Sequence, residues 1–345
     1  LLAVALVALL VAAFLPIPYY AISPGSVRDA STAIEADGES FPPEEGGVSY
    51  ATVSLRQVTP LGLVAGWLDP TTDVRPEDEV LIGGNSEQNR QVNAQLMDDS
   101  KSSAEAAAFA ALGCDVLSGT GAAIQAVAPE LPVAEHLSAG DTVVAVDGVP
   151  VALGPELGEA VDASEPGDVL TLSVEDGEGV AREEQVEVSA NPDDPDDPLL
   201  GVSLATRDLD VTLPFDVEID SGQVGGPSAG LAFTLALLDE LTPGSLTGGA
   251  AVTATGTMDV VGRVGPVGGV KQKTAAVRRA GATLFLVPPD ELEEAQAAAG
   301  DDLEVVAVTT LDEALAALGE HGGDVDVVTE SDICSAPESE PDAPA

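Results

Sequence analysis

The chain has 345 residues with 60 acidic against 12 basic side chains, a formal net charge of −48. It therefore has little basic surface to meet phosphates, which argues against nucleic-acid binding. The length suffices for about two domains, and with only 3% aromatic residues the cores have to be built from Val, Leu and Ala.

Leu1 to Leu15 holds no polar residue, and apolar character continues to Ala21 despite Pro16 and Pro18. With a few upstream residues this run reaches the length of a membrane span. Tyr19-Tyr20 suits a membrane interface, and no Ala-x-Ala-like cleavage site follows. Residues 1–21 are thus expected to be an uncleaved, single-pass transmembrane anchor, with a cleaved signal peptide as the rival reading. The acidic residues downstream point to soluble domains on the extracytoplasmic side of the cell membrane.

Residues 22–115 read as a juxtamembrane region with a small sheet. Val48 to Val58 alternates with a period near two and predicts a strand. Glu87 to Ser103 is polar. Ala104 to Leu112 is alanine-rich and predicts a helix stopped by Gly113. No catalytic constellation stands out here.

From 116 to 206 the pattern is β-rich. Ala122 to Val127 reads as a strand after the small-residue loop Ser118–Gly121, and Thr142 to Val151 as a hairpin around Asp147-Gly148. A helix over 157–163 and strands over 169–174 and 182–188 follow. This order, with the run Gly140-Asp141-Thr142-Val143-Val144-Ala145-Val146-Asp147-Gly148-Val149-Pro150-Val151, resembles a PDZ domain. PDZ domains take an extended peptide as an added strand and hold its terminal carboxylate on a loop. The resemblance implies that Gly121, Ala122 and Ala123 line that loop and that Ile124 to Ala126 present the strand edge. The plainer alternative is a rigid spacer. The acidic run Asn191–Pro198 lacks a turn glycine and a spaced ligand pattern, so no metal site is expected.

Residues 207–322 carry the chemistry. Leu209 to Ile219 alternates as a half-buried strand. Gly225-Gly226-Pro227-Ser228-Ala229-Gly230 then leads into a helix, Ser228 to about Leu241, that is apolar on most faces and hence buried. Ser228 stands at its positive end, where backbone N–H groups lack helical partners and could hold an oxyanion. Strands are predicted at 251–255, with 258–261 as hairpin partner, at 283–287 and at 305–308. Helices are predicted at 271–280 and 312–318. About 45 residues after the serine, Gly262-Arg263-Val264-Gly265-Pro266-Val267-Gly268-Gly269 precedes Lys271 and Lys273. Lys273 shares a helical stripe with Val270 and Val277, whereas Lys271 faces Ala275 and Arg278. Only a desolvated lysine is neutral near pH 7 and able to act as a base. Taken singly, Ser228 is a plain helix-start residue and the lysines a solvated helix end. The spacing and glycine context together outweigh those readings.

The Gly-Gly-Pro-Ser-Ala-Gly run, Thr255-Gly256, and the run from Gly262 to Lys273 resemble the proteolytic domain of Lon-type serine proteases. With the preceding segments, the order resembles membrane-anchored PDZ–Lon proteins. The resemblance implies an α+β fold of the ribosomal S5 domain 2-like type. It also implies a Ser–Lys dyad of Ser228 and Lys273, supported by Thr255, with Gly226 and Pro227 shaping the turn. One position departs: Val224-Gly225-Gly226 stands where many Lon proteases carry an acid before Gly-Pro-Ser. No Gly-x4-Gly-Lys-Ser/Thr phosphate loop occurs, so ATP-independent cleavage of protein or peptide substrates is expected, with no cofactor. Self-association as a homo-oligomer is left open. A catalytically inactive PDZ/Lon-like binding scaffold is the alternative, and a small-molecule kinase the third reading. Residues 323–345 form an acidic tail expected to be disordered. Cys334 lies in it, so no disulfide with Cys114 is expected.

Overall fold

The computed structural model describes residues 13–38, 40–43, 46–81, 85–192, 194–195 and 197–334. The chain divides into two compact units: residues 116–212, and residues 1–115 together with 213–345.

The discontinuous unit is built on a six-stranded mixed sheet. Its strand order is Glu304–Ala307, Leu284–Val287, Ala251–Ala254, Gly47–Gln57, Tyr19–Asp29, Asp73–Pro76. The first four strands are parallel to one another, and the last three pair antiparallel. Helix Val270–Ala280 connects the strands at 251 and 284, and helix Leu292–Ala299 those at 284 and 304. Parallel neighbours need such crossovers. The result is mixed α/β, a correction to the expected α+β class. It also corrects the expected hairpin: Ala251–Ala254 pairs with strands distant in the chain, and Thr257–Met258 pairs instead with Val264–Gly265.

Residues 22–115, where a small sheet was expected, supply three strands of this sheet and the 26-residue helix Ser86–Ala111. Asn85 caps that helix through its side chain on the Gln88 N–H. Helix Gly230–Leu241 is buried along its whole length. Four of its leucines are fully enclosed, each burial stabilising the fold by about 1.5–3 kcal/mol.

The expected transmembrane helix over 1–21 is corrected where the chain is described. Residues 1–12 of that stretch lie outside the described residues, and Tyr19 to Asp29 is a strand, paired on both sides. Among the described residues no helix is long and apolar enough to cross a membrane. Pro16 and Pro18 lack N–H donors and break a helical ladder just before this strand. The strand expected over 209–219 is likewise split, into Asp210–Val211 and Val217–Ile219, around Pro214.

At the other end, Cys114 and Cys334 are joined by a disulfide across 220 residues of chain. Residues 323–334 are packed, with Val328 buried in the short helix Asp326–Thr329. The expectation of a free tail therefore fails there, and for 335–345 it lies outside the described residues. The second unit, 116–212, is a sheet in the order Ala181–Glu187, Val169–Glu175, Thr142–Val146, Ala122–Val127, Val202–Thr206, with helix Gly154–Asp162 packed on it.

Candidate active site

Ser228 sits in a turn fastened from two directions. Gly226 has φ +90°, a left-handed conformation that a side chain would strain. Its N–H donates to the Asn93 carbonyl at 2.8 Å. The Ser100 hydroxyl donates to the Pro227 carbonyl at 3.0 Å. Both partners belong to helix Ser86–Ala111. From the other side, the Ser228 carbonyl accepts from the Gly256 N–H at 3.1 Å and from the Thr255 hydroxyl at 3.0 Å. Because that carbonyl is held across the sheet, the helix begins at Gly230 rather than at Ser228. The N–H groups of Ser228 and Ala229 have no hydrogen-bond partner among the described residues.

Lys273 comes from the second glycine turn. Gly269 caps helix Val270–Ala280 at φ +69°, and a Cβ there would lie 2.8 Å from Val53. One turn into the helix, Lys273 is 2% exposed. Its Nζ donates to Thr255 Oγ1 at 2.9 Å. Burial lowers its pKa from the ordinary lysine value to about 7, and the negative charge of Glu291 works against that shift. Glu291 also accepts from the Val267 N–H at 2.9 Å, tying down the glycine loop that leads to the lysine helix. Lys271, by contrast, is half-exposed and paired with Asp73 at 3.0 Å.

Thr255 sets the hydrogen-bond polarity of the site. It has one proton, spent on the Ser228 carbonyl, so it can only accept from Lys273. A neutral Lys273 amine that donates to Thr255 keeps its lone pair free. Ser228 and Lys273 line one cavity of about 510 Å³, together with Gly226 and Pro227. Among the described residues no hydrogen bond joins Ser228 Oγ directly to Lys273 Nζ; Thr255 links the two segments.

The expected peptide-binding residues are placed differently. The Gly121 N–H donates to the Ala152 carbonyl, and its own carbonyl accepts from Arg207. Ala122 pairs with Val143 on one side and with Thr206 on the other, and Ala123 with Thr142 and Ala205. Ile124 is buried opposite Leu204. Gly121, Ala122, Ala123 and Ile124 therefore present no open edge. The terminal strand on that side of the sheet is Val202–Thr206.

Sequence reasoning missed Asn93, Ser100 and Glu291. A signal for the helix carrying the first two was present: Met97, Ser100, Ala104 and Ala107, all buried, recur at three- and four-residue spacing. Glu291 carried none, since its partner amide is 24 residues away.

Ser228 and Lys273 both lie in a stretch that is similar to known proteins. Residues 212–319 match the family described as the Lon protease (S16) C-terminal proteolytic domain. Lon protease 1 of Bacillus subtilis is 29% identical over 181 residues, 51% of this chain and 21% of that protein. Lon protease of Frankia alni is 40% identical over 119 residues, 31% of this chain and 13% of that one. The chain thus spans about a fifth or less of these relatives. Among solved structures, the PDZ domain of an SdrC-like protein from Listeria monocytogenes is similar at 21% identity, covering 25% of this chain and 87% of that domain with a TM-score of 0.23. Over residues 212–319, this chain carries a Lon-type (S16) proteolytic domain.

Proposed function

We propose that the chain is an ATP-independent serine endopeptidase in which Ser228 is the nucleophile and Lys273 the general base. The observation that carries this reading is the buried Lys273, tied through Thr255 to the Ser228 carbonyl in a shared cavity. The neutral amine takes the Ser228 proton as Oγ attacks a peptide carbonyl. The unpaired N–H groups of Ser228 and Ala229 are donors for the oxyanion. As the intermediate collapses, the new ammonium returns its proton to the leaving amine, forming an acyl-enzyme. Lys273 then deprotonates a water that hydrolyses the ester. A lysine can repeat this cycle because its proton affinity lies near ambient pH.

The chain contains no phosphate-binding loop, so its peptide hydrolysis needs no nucleotide. The unit 116–212 supports a recruiting role by strand addition at Val202–Thr206, which ends its sheet. Deleting 116–212 is then expected to weaken cleavage of proteins more than of short peptides.

The test is labelling with a serine-directed acylating reagent, alongside hydrolysis of an unfolded protein with and without ATP. Wild type is expected to be labelled at Ser228 and to cleave in both conditions, and folded Ser228→Ala to do neither. An unlabelled, inactive wild type would favour the binding scaffold. Cleavage only with ATP would overturn the nucleotide independence.

A further inference from the structure

We infer that Arg28 makes the cavity selective for a substrate carboxylate close to the scissile bond. This deepens the peptidase reading and rests on it for the meaning of that bond. In a chain with five acids for every base, no Asp or Glu among the described residues lines the cavity that Ser228 and Lys273 share. Its lining holds two basic side chains, Lys273 and Arg28. Lys273 is spent on the proton chemistry. Arg28 is exposed and permanently charged.

The guanidinium is held in place but not neutralised. Strand Tyr19–Asp29 changes register against Gly47–Gln57 between Pro24 and Val27. Such bulges re-aim side chains and recur beside active sites. This one brings Ser26 against Thr52: the Ser26 N–H donates to Thr52 Oγ1 at 3.0 Å, and the Thr52 hydroxyl donates back to the Ser26 carbonyl at 3.0 Å. Ser26 Oγ in turn accepts from Arg28 Nε at 3.3 Å. Arg28 is paired across the strands with Tyr50, which also lines the cavity. Residues directly opposite in an antiparallel pair share a face of the sheet.

Seven of the chain's twelve basic residues are in ion pairs with acids in the structure; Arg28 has no carboxylate partner among the described residues. With one N–H used on Ser26, the outer edge of its guanidinium keeps the fork that matches a carboxylate. A negative surface repels acidic peptides at long range, so one uncompensated cation in an acid-free cavity acts on what has already entered. A cavity of about 510 Å³ is roughly 8–10 Å across, about three extended residues. The carboxylate therefore belongs to a residue within about three positions of the cleaved bond. It is a Glu or Asp side chain or the chain's own terminal carboxylate.

The experiment uses the full chain and a set of amidated peptides. Each carries one Glu within three residues of the bond on either side, with Gln and Lys counterparts. One further Gln peptide ends in a free carboxylate three residues beyond the bond. At one position kcat/KM for Glu is expected to exceed that for Gln about fivefold, and less at high salt because Arg28 is exposed. In Arg28→Gln the Glu/Gln ratio falls to about one, and in Arg28→Glu the Lys peptide overtakes the Glu peptide. If only the free-carboxylate peptide is favoured, and Arg28→Gln removes that, the terminal carboxylate is the ligand. A wild type that cleaves Glu and Gln peptides alike, or a preference that survives Arg28→Gln, overturns the inference. If wild type cleaves none of them, the peptidase reading fails. Arg28 is then judged by fluorescence anisotropy of the same peptides on Ser228→Ala protein, where equal binding of Glu and Gln peptides overturns its role.

Discussion

The two faces of helix Val270–Ala280 hold lysines two residues apart in different surroundings. Lys271 is half-exposed and shares its charge with Asp73, as surface lysines commonly do. Lys273 has turned about 200° around the helix axis into the sheet side, where it is enclosed and meets a threonine hydroxyl in place of a carboxylate. The side chains are chemically identical. What separates them is the cost of keeping a charge away from water, and that cost leaves one a salt-bridge partner and fits the other to the proposed role of base.

The largest test of this contrast is a pair of substitutions. Lys273→Ala and Lys273→Arg are each expected to lower the rate of acyl-enzyme formation about a thousandfold or more, because arginine keeps its proton. Lys271→Ala should stay within about twofold of wild type. The reverse ranking would overturn the assignment of the base.

A second measurement turns the same burial into stability. The folded-state pKa of Lys273 is lowered to about 7, so between pH 7 and the ordinary lysine value the unfolded chain binds more protons than the folded one. Stability therefore rises with pH across that window, and the penalty of burying the ammonium is complete below it. Lys273→Met removes the penalty. It should be more stable than wild type by about 2 kcal/mol at pH 7, with the gap closing toward pH 10. Urea titrations of both proteins at pH 7 and pH 9.5 check this, and a gap that does not narrow would contradict it.

The smallest effect concerns Glu291, whose charge opposes the lowering. The acid limb of the activity profile is expected to rise through pH about 7, the point at which Lys273 becomes neutral. Glu291→Gln removes a nearby negative charge and should move that limb down by about half a pH unit. An unmoved limb would leave Glu291 only its bond to the Val267 amide.

Legibility of these features in the sequence follows the range of the forces behind them. The glycine turns, the buried helix after Ser228 and the lysine stripe are local signals, and the structure has each within a residue or two. The strands at 47, 251, 284 and 304 were also readable as strands. Their pairing was not, because four-residue apolar runs do not say whether their partner is next in sequence or 200 residues away, as Gly47 is from Ala251. The first part of the helix at Ser86 hid behind polar residues because only Met97 and Ser100 are buried before Ala104. Residues 13–21 misled for another reason. Composition there satisfies a bilayer as well as a core, whereas the prolines and the pairing of Tyr20 with Gln57 and Arg75 speak of a sheet. In unit 116–212 the strands from Ala122 to Glu187 were readable one by one. Strand Val202–Thr206 was not anticipated, so Ala122–Val127 was mistaken for an edge.

The Cys114–Cys334 bond closes about two thirds of the chain into a covalent ring. Unit 116–212, the serine turn and the lysine helix all lie inside it. A single nick anywhere within that ring leaves one molecule of unchanged mass apart from an added water. A sample clipped by its own activity would therefore run as an intact band on a non-reducing gel and fall into two fragments only after the thiols are released.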